Sequence, residues 1–314
     1  MKYRTLGKTA LKVSEVGFGA WAIGGNNYGN SYGPTDDKVS VAAVERAFEL
    51  GCNFFDTADV YGHGHSEEIL GQALKGHRND VILATKVGGD FYHNPPRMNF
   101  SPEYLEFASA KSCERLQTDY IDLYQLHNPP IKLLKNGKIF EGLEKLKDSG
   151  VIRHYGVSIH DSQEGILSMK DGHPETIQVV FNLLRQEAKN QLFQAARERN
   201  VGIIAREPLS NGFLTGKFTL DSTFPSGDIR SNFPRNYLAG LIGAAQQLRL
   251  LESKTRTLAQ ASLRFALDHK DISTVIPGAK TPQQTEENLK ASELPPLTGE
   301  ELLRIRILRE QGFA

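Results

Sequence analysis

Short apolar runs alternate with amphipathic stretches along almost the whole chain, and each switch of period predicts an element. "YRTLGKTALKV" (3–13) reads as a small hairpin turning at Gly7 and Lys8. "EVGFGA" (15–20) opens a repeating series as its first strand. "TDDKVSVAAVERAFELG" (35–51) has helical spacing, an Asp-rich start and Gly51 as its stop. The strand "CNFFDT" (52–57) and the helix "SEEILGQALKG" (66–76) follow, then the strand "DVILATKV" (80–87) and the helix "SPEYLEFASAKSCERLQ" (101–117). A fourth pair is "YIDLYQLH" (120–127) and "IFEGLEKLKDSG" (139–150), and a fifth is "IRHYGVSIH" (152–160) and "SQEGILSMKDG" (162–172). "TIQVVFNLL" (176–184) with "NQLFQAARERN" (190–200) makes the sixth. "VGIIARE" (201–207) is the seventh strand, and an insertion from 208 to about 256 separates it from the helix "TLAQASLRFALDHK" (257–270). "ISTVIPG" (272–278) and "TPQQTEENLKASE" (281–293) close the series, and "TGEELLRIRILREQG" (298–312) adds a further helix.

Strands alternating with helices predict a parallel sheet, and eight such units at this length fit a closed (β/α)8 TIM barrel. The strands are near-continuous apolar runs, as expected where both faces are buried. No linker or low-complexity stretch divides the chain, so residues 1–314 read as a single barrel domain with an N-terminal hairpin, the insertion and a C-terminal extra helix.

Composition changes this picture little. Apolar residues make up 39% of the chain, enough for a sizeable core. Lys plus Arg equals Asp plus Glu at 37 each, which argues against a nucleic-acid or membrane-surface partner. No window approaches the ~20 apolar residues of a membrane span, and the N-terminus is too interrupted for a signal peptide. A soluble cytoplasmic protein is expected, a monomer or a small homo-oligomer. Its two cysteines, Cys52 and Cys113, are expected as reduced structural thiols.

In such barrels the chemistry sits at the C-terminal ends of the strands. Asp56 ends the second strand, Tyr61 lies in the loop after it, Lys86 ends the third strand and His127 the fourth. Singly, each has a structural explanation. Together they aim a carboxylate, a phenol, an ammonium and an imidazole at one rim. A phenol titrates near ~10, a nearby ammonium lowers that value, and a carboxylate holds the ammonium in place. A neutral imidazole can orient a carbonyl oxygen. The set suits protonation of an oxygen as a carbonyl becomes an alcohol. It brings no hydride, so a cofactor must.

"FFDTADVYG", "ATKVG" and "QLHNP", in that order and spacing, resemble the aldo-keto reductase superfamily. The resemblance runs from "TLGKTALKVSEVGFG" to "IPGAKTPQQTEENL". It implies a (β/α)8 barrel using a nicotinamide cofactor, mostly NADPH (NADP+), with NADH possible, on a small carbonyl or alcohol substrate. It implies that Asp56, Tyr61, Lys86 and His127 form the catalytic tetrad, Tyr61 being the proton donor. "GFGAW" resembles the stretch where Gly19, Ala20 and Trp21 pass under the cofactor. Asp56 borders the same site. Ser158 and Gln178 correspond to partners of the nicotinamide carboxamide, while Ile159 stands where many members have Asn. "AREPLSNGFLTGK" resembles the loop around the pyrophosphate, which covers Arg206, Glu207, Pro208, Leu209, Ser210 and Lys217. Arg206 replaces an aromatic ring that stacks on the nicotinamide, and a planar guanidinium can also stack. Arg230, in "GDIRS", resembles a further basic contact. "PGAKTPQQTEEN" resembles the adenosine-phosphate loop, with Gly278, Lys280, Gln284, Glu287 and Asn288 at the matching positions. Gly278 and Gln284 stand where some members place Lys and Arg, which weakens the phosphate clamp.

Tyr28, Tyr32, Phe91 and Tyr92, on the Gly- and Asn-rich loops after the first and third strands, are candidate substrate residues, and so is Trp21. Two other function classes stay open. "GVSIH" and "PGAKTPQQTEEN" also resemble the potassium-channel β-subunit branch, which implies an NADP-binding regulatory subunit with little turnover. His63 and His65 have a spacing that binds metal in some barrel hydrolases, but they lie in a loop, and no metal is expected.

Overall fold

A computed structural model describes residues 1–28, 31–170 and 173–313. Residues 29–30 of the first rim loop, and the last two positions of the expected helix at 162–172, lie outside it. Eight strands form one parallel sheet: β1 (Phe18–Gly19), β2 (Phe54–Asp56), β3 (Ile82–Val87), β4 (Ile121–His127), β5 (Ile152–Ser158), β6 (Thr176–Val180), β7 (Gly202–Arg206) and β8 (Ile272–Val275). Each strand pairs with the next in chain order. The sheet closes on itself, because Gly17 N–H donates to Val275 O at 2.8 Å and Gly19 N–H to Pro277 O at 3.0 Å. Glycine is required at that seam, since a Cβ on Gly19 would stand 2.7 Å from Ile276 O. The result is the expected barrel.

Successive side chains of a strand point to opposite faces. Phe54, Ile82, Ala84, Leu123 and Ile204 cluster with Leu6 and Val13 of the N-terminal hairpin, whose strands are Tyr3–Thr5 and Lys12–Ser14. This small cluster is the floor of the barrel. Two residues further along the same faces come Asp56, Lys86, Gln125 and Arg206. One alternation therefore builds an apolar floor and a polar upper layer. The opposite faces, with Phe55, Leu83, Tyr124 and Val157, pack in the main core under the helices.

The helices are α1 (Asp37–Glu49), α2 (His65–Ala73), α3 (Pro102–Leu116), α4 (Ile131–Asn136), α5 (Ile139–Asp148), α6 (Ser162–Ser168), α7 (Leu192–Glu198), α8 (Arg235–Leu248), α9 (Leu258–Leu267), α10 (Pro282–Leu289) and α11 (Gly299–Glu310). Two were not expected from the pattern. Helix α4 is only six residues long. Helix α8 lies inside the insertion, which also holds the 3-10 turns Ser210–Thr215 and Ile229–Asn232. Its buried face is Ile242, Ala244, Ala245 and Leu248, but it starts after Pro234 with no capping side chain and no acidic residue in its first turn, so nothing marks its start. Strand β6 stops at Val180, short of the expected 184, because Asn182 Oδ1 accepts the N–H groups of Leu184 and Arg185 at 2.9 Å and turns the chain. Helix α11 begins at a capping box in which Thr298 and Glu301 satisfy each other's backbone N–H. Both cysteines are unpaired. No helix among the described residues is long and apolar enough to cross a membrane.

Leu6 is fully buried in the barrel floor. Leu6→Ala is expected to lower unfolding stability by about 2–5 kcal/mol, the usual range for a core leucine. Urea titration measures it, and a loss below about 1 kcal/mol would mean that the hairpin does not plug the barrel.

Candidate active site

The polar upper layer is organised around one ammonium. Lys86 Nζ is buried and donates to Asp56 Oδ1 at 2.5 Å, to Thr57 O at 2.7 Å and to the Tyr61 hydroxyl at 3.3 Å. Asp56 Oδ2 accepts Gln178 Nε2 at 2.7 Å and Gln125 Nε2 at 3.1 Å. The Tyr61 ring lies edge-on to His127 at 5.8 Å and 6.2 Å from Trp21. The four expected tetrad residues therefore meet. Gln125 was not foreseen, although its place two residues before His127 puts it on the same inward face.

Burial moves the phenol and the imidazole in opposite senses, because it disfavours whichever form is charged. Burial raises the Tyr61 pKa, Lys86 pulls against it, and the outcome is above the ordinary value. This corrects the expectation that Lys86 lowers it: the ammonium acts in that direction, but desolvation outweighs it. Tyr61 is therefore protonated at neutral pH. Burial, then Lys86 and Arg206, hold His127 well below its ordinary value, so the imidazole is neutral. Burial alone would depress Lys86, but Asp56 and Tyr61 raise it above its ordinary value.

Beside the tetrad runs a cleft of about 670 Å³, within the range of small-molecule sites. Gly19, Ala20, Trp21, Asp56, Gln178, Arg206, Glu207, Pro208, Leu209, Lys217, Arg230, Gly278, Lys280, Gln284, Glu287 and Asn288 all line it. Ser158 and Ser210 are buried and do not line it. Ser158 Oγ nevertheless has no hydrogen-bond partner among the described residues, which leaves it open to a ligand amide. Gln178 gives its Nε2 to Asp56 at 2.7 Å and to Gln125 Oε1 at 3.3 Å, so only its carbonyl oxygen remains for a carboxamide. Arg206 pairs with Glu207 and donates to Ile159 O at 3.1 Å, which fixes its plane at the tetrad end.

Three cations gather elsewhere in the cleft. Burial and then Arg230 depress both Lys217 and Lys280. Arg230 is held by Asp228 through Nε at 2.9 Å and Nη2 at 2.6 Å. Lys280 Nζ rests on the carbonyls of Tyr32, Gly33 and Pro34, at 2.7, 3.3 and 3.2 Å. Gln284 Oε1 accepts Lys280 N–H at 2.9 Å, Glu287 accepts the Thr257 hydroxyl at 2.9 Å, and Asn288 donates to Gly278 O at 3.2 Å. Two depressed lysines beside a guanidinium favour an anionic ligand. Tyr32, a candidate on the first rim loop, lines the cleft, and so does Asn211, which was missed; the two hydrogen-bond across it at 2.7 Å and join the first rim loop to the insertion. Asn211 lies in the stretch that resembles the pyrophosphate loop, which is the signal for it.

Tyr28, Phe91 and Tyr92 do not line the cleft. They form a stacked ladder through His63, with centroids 4.0 Å from Tyr28 to His63, 4.6 Å from His63 to Phe91 and 4.5 Å from Phe91 to Tyr92. His65 instead faces Asp37 at 2.9 Å and Glu68 at 3.3 Å.

The sequence pattern of the aldo/keto reductase family matches residues 15–310. The chain is 34% identical over 294 residues to the aldo-keto reductase YhdN of Bacillus subtilis, covering 91% of this chain and 87% of that protein. Aldo-keto reductase AKR11C1 from Bacillus halodurans, in its holo form, superposes with a TM-score of 0.79 at 33% identity over 98% of this chain and 96% of its own. An aldo/keto reductase from Klebsiella pneumoniae in complex with NADP and acetate has a TM-score of 0.76 at 25% identity, covering 98% and 95%.

A neutral, buried His127 has a spectroscopic consequence. Its imidazole resonances are expected to show no titration between about pH 5.5 and 8, whereas an ordinary histidine has its midpoint near ~6.5. Imidazole-labelled NMR, assigned with His127→Gln, reads this directly. A midpoint close to the ordinary value would show that His127 is solvated and charged at mildly acid pH.

Proposed function

The chain belongs to the aldo/keto reductase family, and we propose that it reduces the carbonyl of an aldehyde, ketone or sugar with NADPH, Tyr61 giving the proton. The observation that carries this reading is the 3.3 Å contact between Lys86 Nζ and the Tyr61 hydroxyl, beside a cleft large enough for a dinucleotide. NADPH supplies the hydride when bound. Ser158 and the carbonyl of Gln178 would hold its carboxamide, and Lys217, Arg230 and Lys280 its phosphates.

The residues do the rest. His127, neutral, donates a ring N–H to the substrate carbonyl oxygen and aims it at Tyr61. The Tyr61 hydroxyl donates to the same oxygen and passes its proton as negative charge develops there. Lys86 stabilises the phenolate that remains. Asp56 keeps Lys86 charged and fixed. Trp21 and Val60 supply apolar walls at the reacting end. In the alcohol-to-ketone direction the phenolate takes the proton back, so oxidation should gain from alkaline pH while reduction loses.

Tyr61→Phe removes one oxygen and keeps the ring. It is expected to lower kcat by about 10²–10⁴, the usual cost of a general acid, with NADPH affinity unchanged. A variant retaining more than about a tenth of wild-type kcat rules out Tyr61 as the donor.

The cation cluster favours the phosphorylated cofactor. NADPH is expected to bind more tightly than NADH by about 1–3 kcal/mol, the worth of one or two charge-assisted bonds. Lys280→Met should erase part of that gap. Calorimetric titration of both cofactors into both proteins decides, and equal constants in the wild type remove the preference.

A further inference from the structure

Asp59 is a buried carboxyl that the proposed chemistry does not use. It lies between Asp56 and Tyr61 and is 2% exposed. Its backbone N–H donates to Lys86 O at 3.1 Å. Its Oδ2 accepts the Gly88 N–H at 3.3 Å. The two bonds straddle Val87, so one residue ties the loop that carries Tyr61 to the end of the strand that carries Lys86.

The strand end needs such a tie. Gly88 and Gly89 follow β3 in succession, and Gly88 has φ 149°, a conformation that side chains rarely adopt. A Cβ on Gly89 would come within 1.9 Å of Val60 Cγ1, so loop and strand end also press together there.

Asp59 is retained at a cost. Its other oxygen, Oδ1, has no hydrogen-bond partner among the described residues. Burial, and then Glu67, push the carboxyl up to about 8, so it is uncharged at neutral pH. Arg115, the cation that could have paired with it, gives Nε to Glu67 at 2.7 Å. A buried polar atom without a partner destabilises, and an apolar side chain of similar size avoids that penalty. The group contributes something other than stability.

We propose that Asp59 is a positioning residue that sets the separation of the Tyr61 hydroxyl and Lys86 Nζ. The inference rests on the tetrad reading above. Tyr61 and Lys86 sit on different elements, and proton transfer depends on their alignment. A misplacement of about 1 Å costs on the order of 10²-fold in rate.

Asp59→Leu, Asp59→Ala and Asp59→Asn, with Tyr61→Phe as a control, test it on the full chain. The readouts are kcat with NADPH and 4-nitrobenzaldehyde, the NADPH dissociation constant, and Tm. Asp59→Leu is expected to lose about 10–100-fold in kcat, with NADPH affinity within about twofold and Tm unchanged or higher. Asp59→Ala should lose kcat similarly. Asp59→Asn keeps an oxygen for the Gly88 N–H and should retain at least about half of kcat. A structural role gives the reverse pattern, a lower Tm with kcat intact. Wild-type kcat in Asp59→Leu, or an Asp59→Asn as slow as Asp59→Leu, overturns the proposal. So does failure of both apolar variants to fold, which assigns Asp59 to the fold alone. A fully active Tyr61→Phe sinks the tetrad reading independently of Asp59, whereas an inactive Tyr61→Phe beside a fully active Asp59→Leu sinks only the positioning role.

Discussion

A lysine buried at the centre of the barrel must be paired or neutral. Taking an ion out of water costs several kcal/mol even after relaxation, and only close, fully hydrogen-bonded geometry returns that cost. Lys86 meets this constraint with three acceptors, Asp56, Thr57 O and the Tyr61 hydroxyl. Asp56 needs donors for its second oxygen and finds two, from Gln125 and Gln178. The chain of requirements spans β2, β3, β4 and β6. Replacing either ion would leave the other buried and alone, which is far more destabilising than losing the pair together. The arrangement is thus held in register by electrostatics from one side of the barrel to the other, and Tyr61 is attached to the one member that can spare a hydrogen bond.

Around this centre the rim is strained, and the strain is local. Glu207, Ser210 and Asn211 have φ of 52°, 47° and 54°, and none of them is glycine. Such conformations cost free energy and persist where the surroundings over-determine them. Here Asn182 Nδ2 holds Glu207 O at 2.9 Å, Arg206 pairs with Glu207, and Arg230 Nη1 donates to Asn211 O at 3.2 Å. The strained loop is also the one that lines the cleft from Glu207 to Thr215. Its backbone is held in these conformations by contacts from the ends of β6 and β7 and from the insertion.

The barrel was legible in the sequence because period and length agree: eight apolar runs of strand length, each followed by a stretch of helical spacing, leave few other architectures. The meeting of Asp56, Lys86 and His127 was legible because they end successive strands, and that of Tyr61 because it lies in the loop just after Asp56. What escaped had weaker signals. Helix α8 begins after Pro234 with no capping side chain and no acidic first turn, so it lacked a start signal inside the insertion. The roles of Tyr28, Phe91 and Tyr92 depended on which way loops fold, and a stacked ladder through His63 draws them off the cleft. The sense of the Tyr61 shift could not be read from neighbours alone, since it is decided by burial, which is a property of the closed barrel.

That last point governs the chemistry. One low-dielectric environment acts on three ionisable groups whose charged forms differ in sign. It disfavours a phenolate, an imidazolium and an ammonium alike. Left to burial, all three would be neutral. Only Lys86 has a carboxylate against it, so only Lys86 keeps its charge. The consequence is a protonated phenol next to a fixed ammonium, with a neutral imidazole on its other side. If the phenol gives up its proton, as proposed, the charge that appears is one that Lys86 already faces across 3.3 Å. Asp56 therefore acts on the phenol indirectly. It raises the Tyr61 pKa through its own charge, yet it is also what keeps Lys86 cationic, and without Lys86 a phenolate would be left with only the weaker attraction of Arg206.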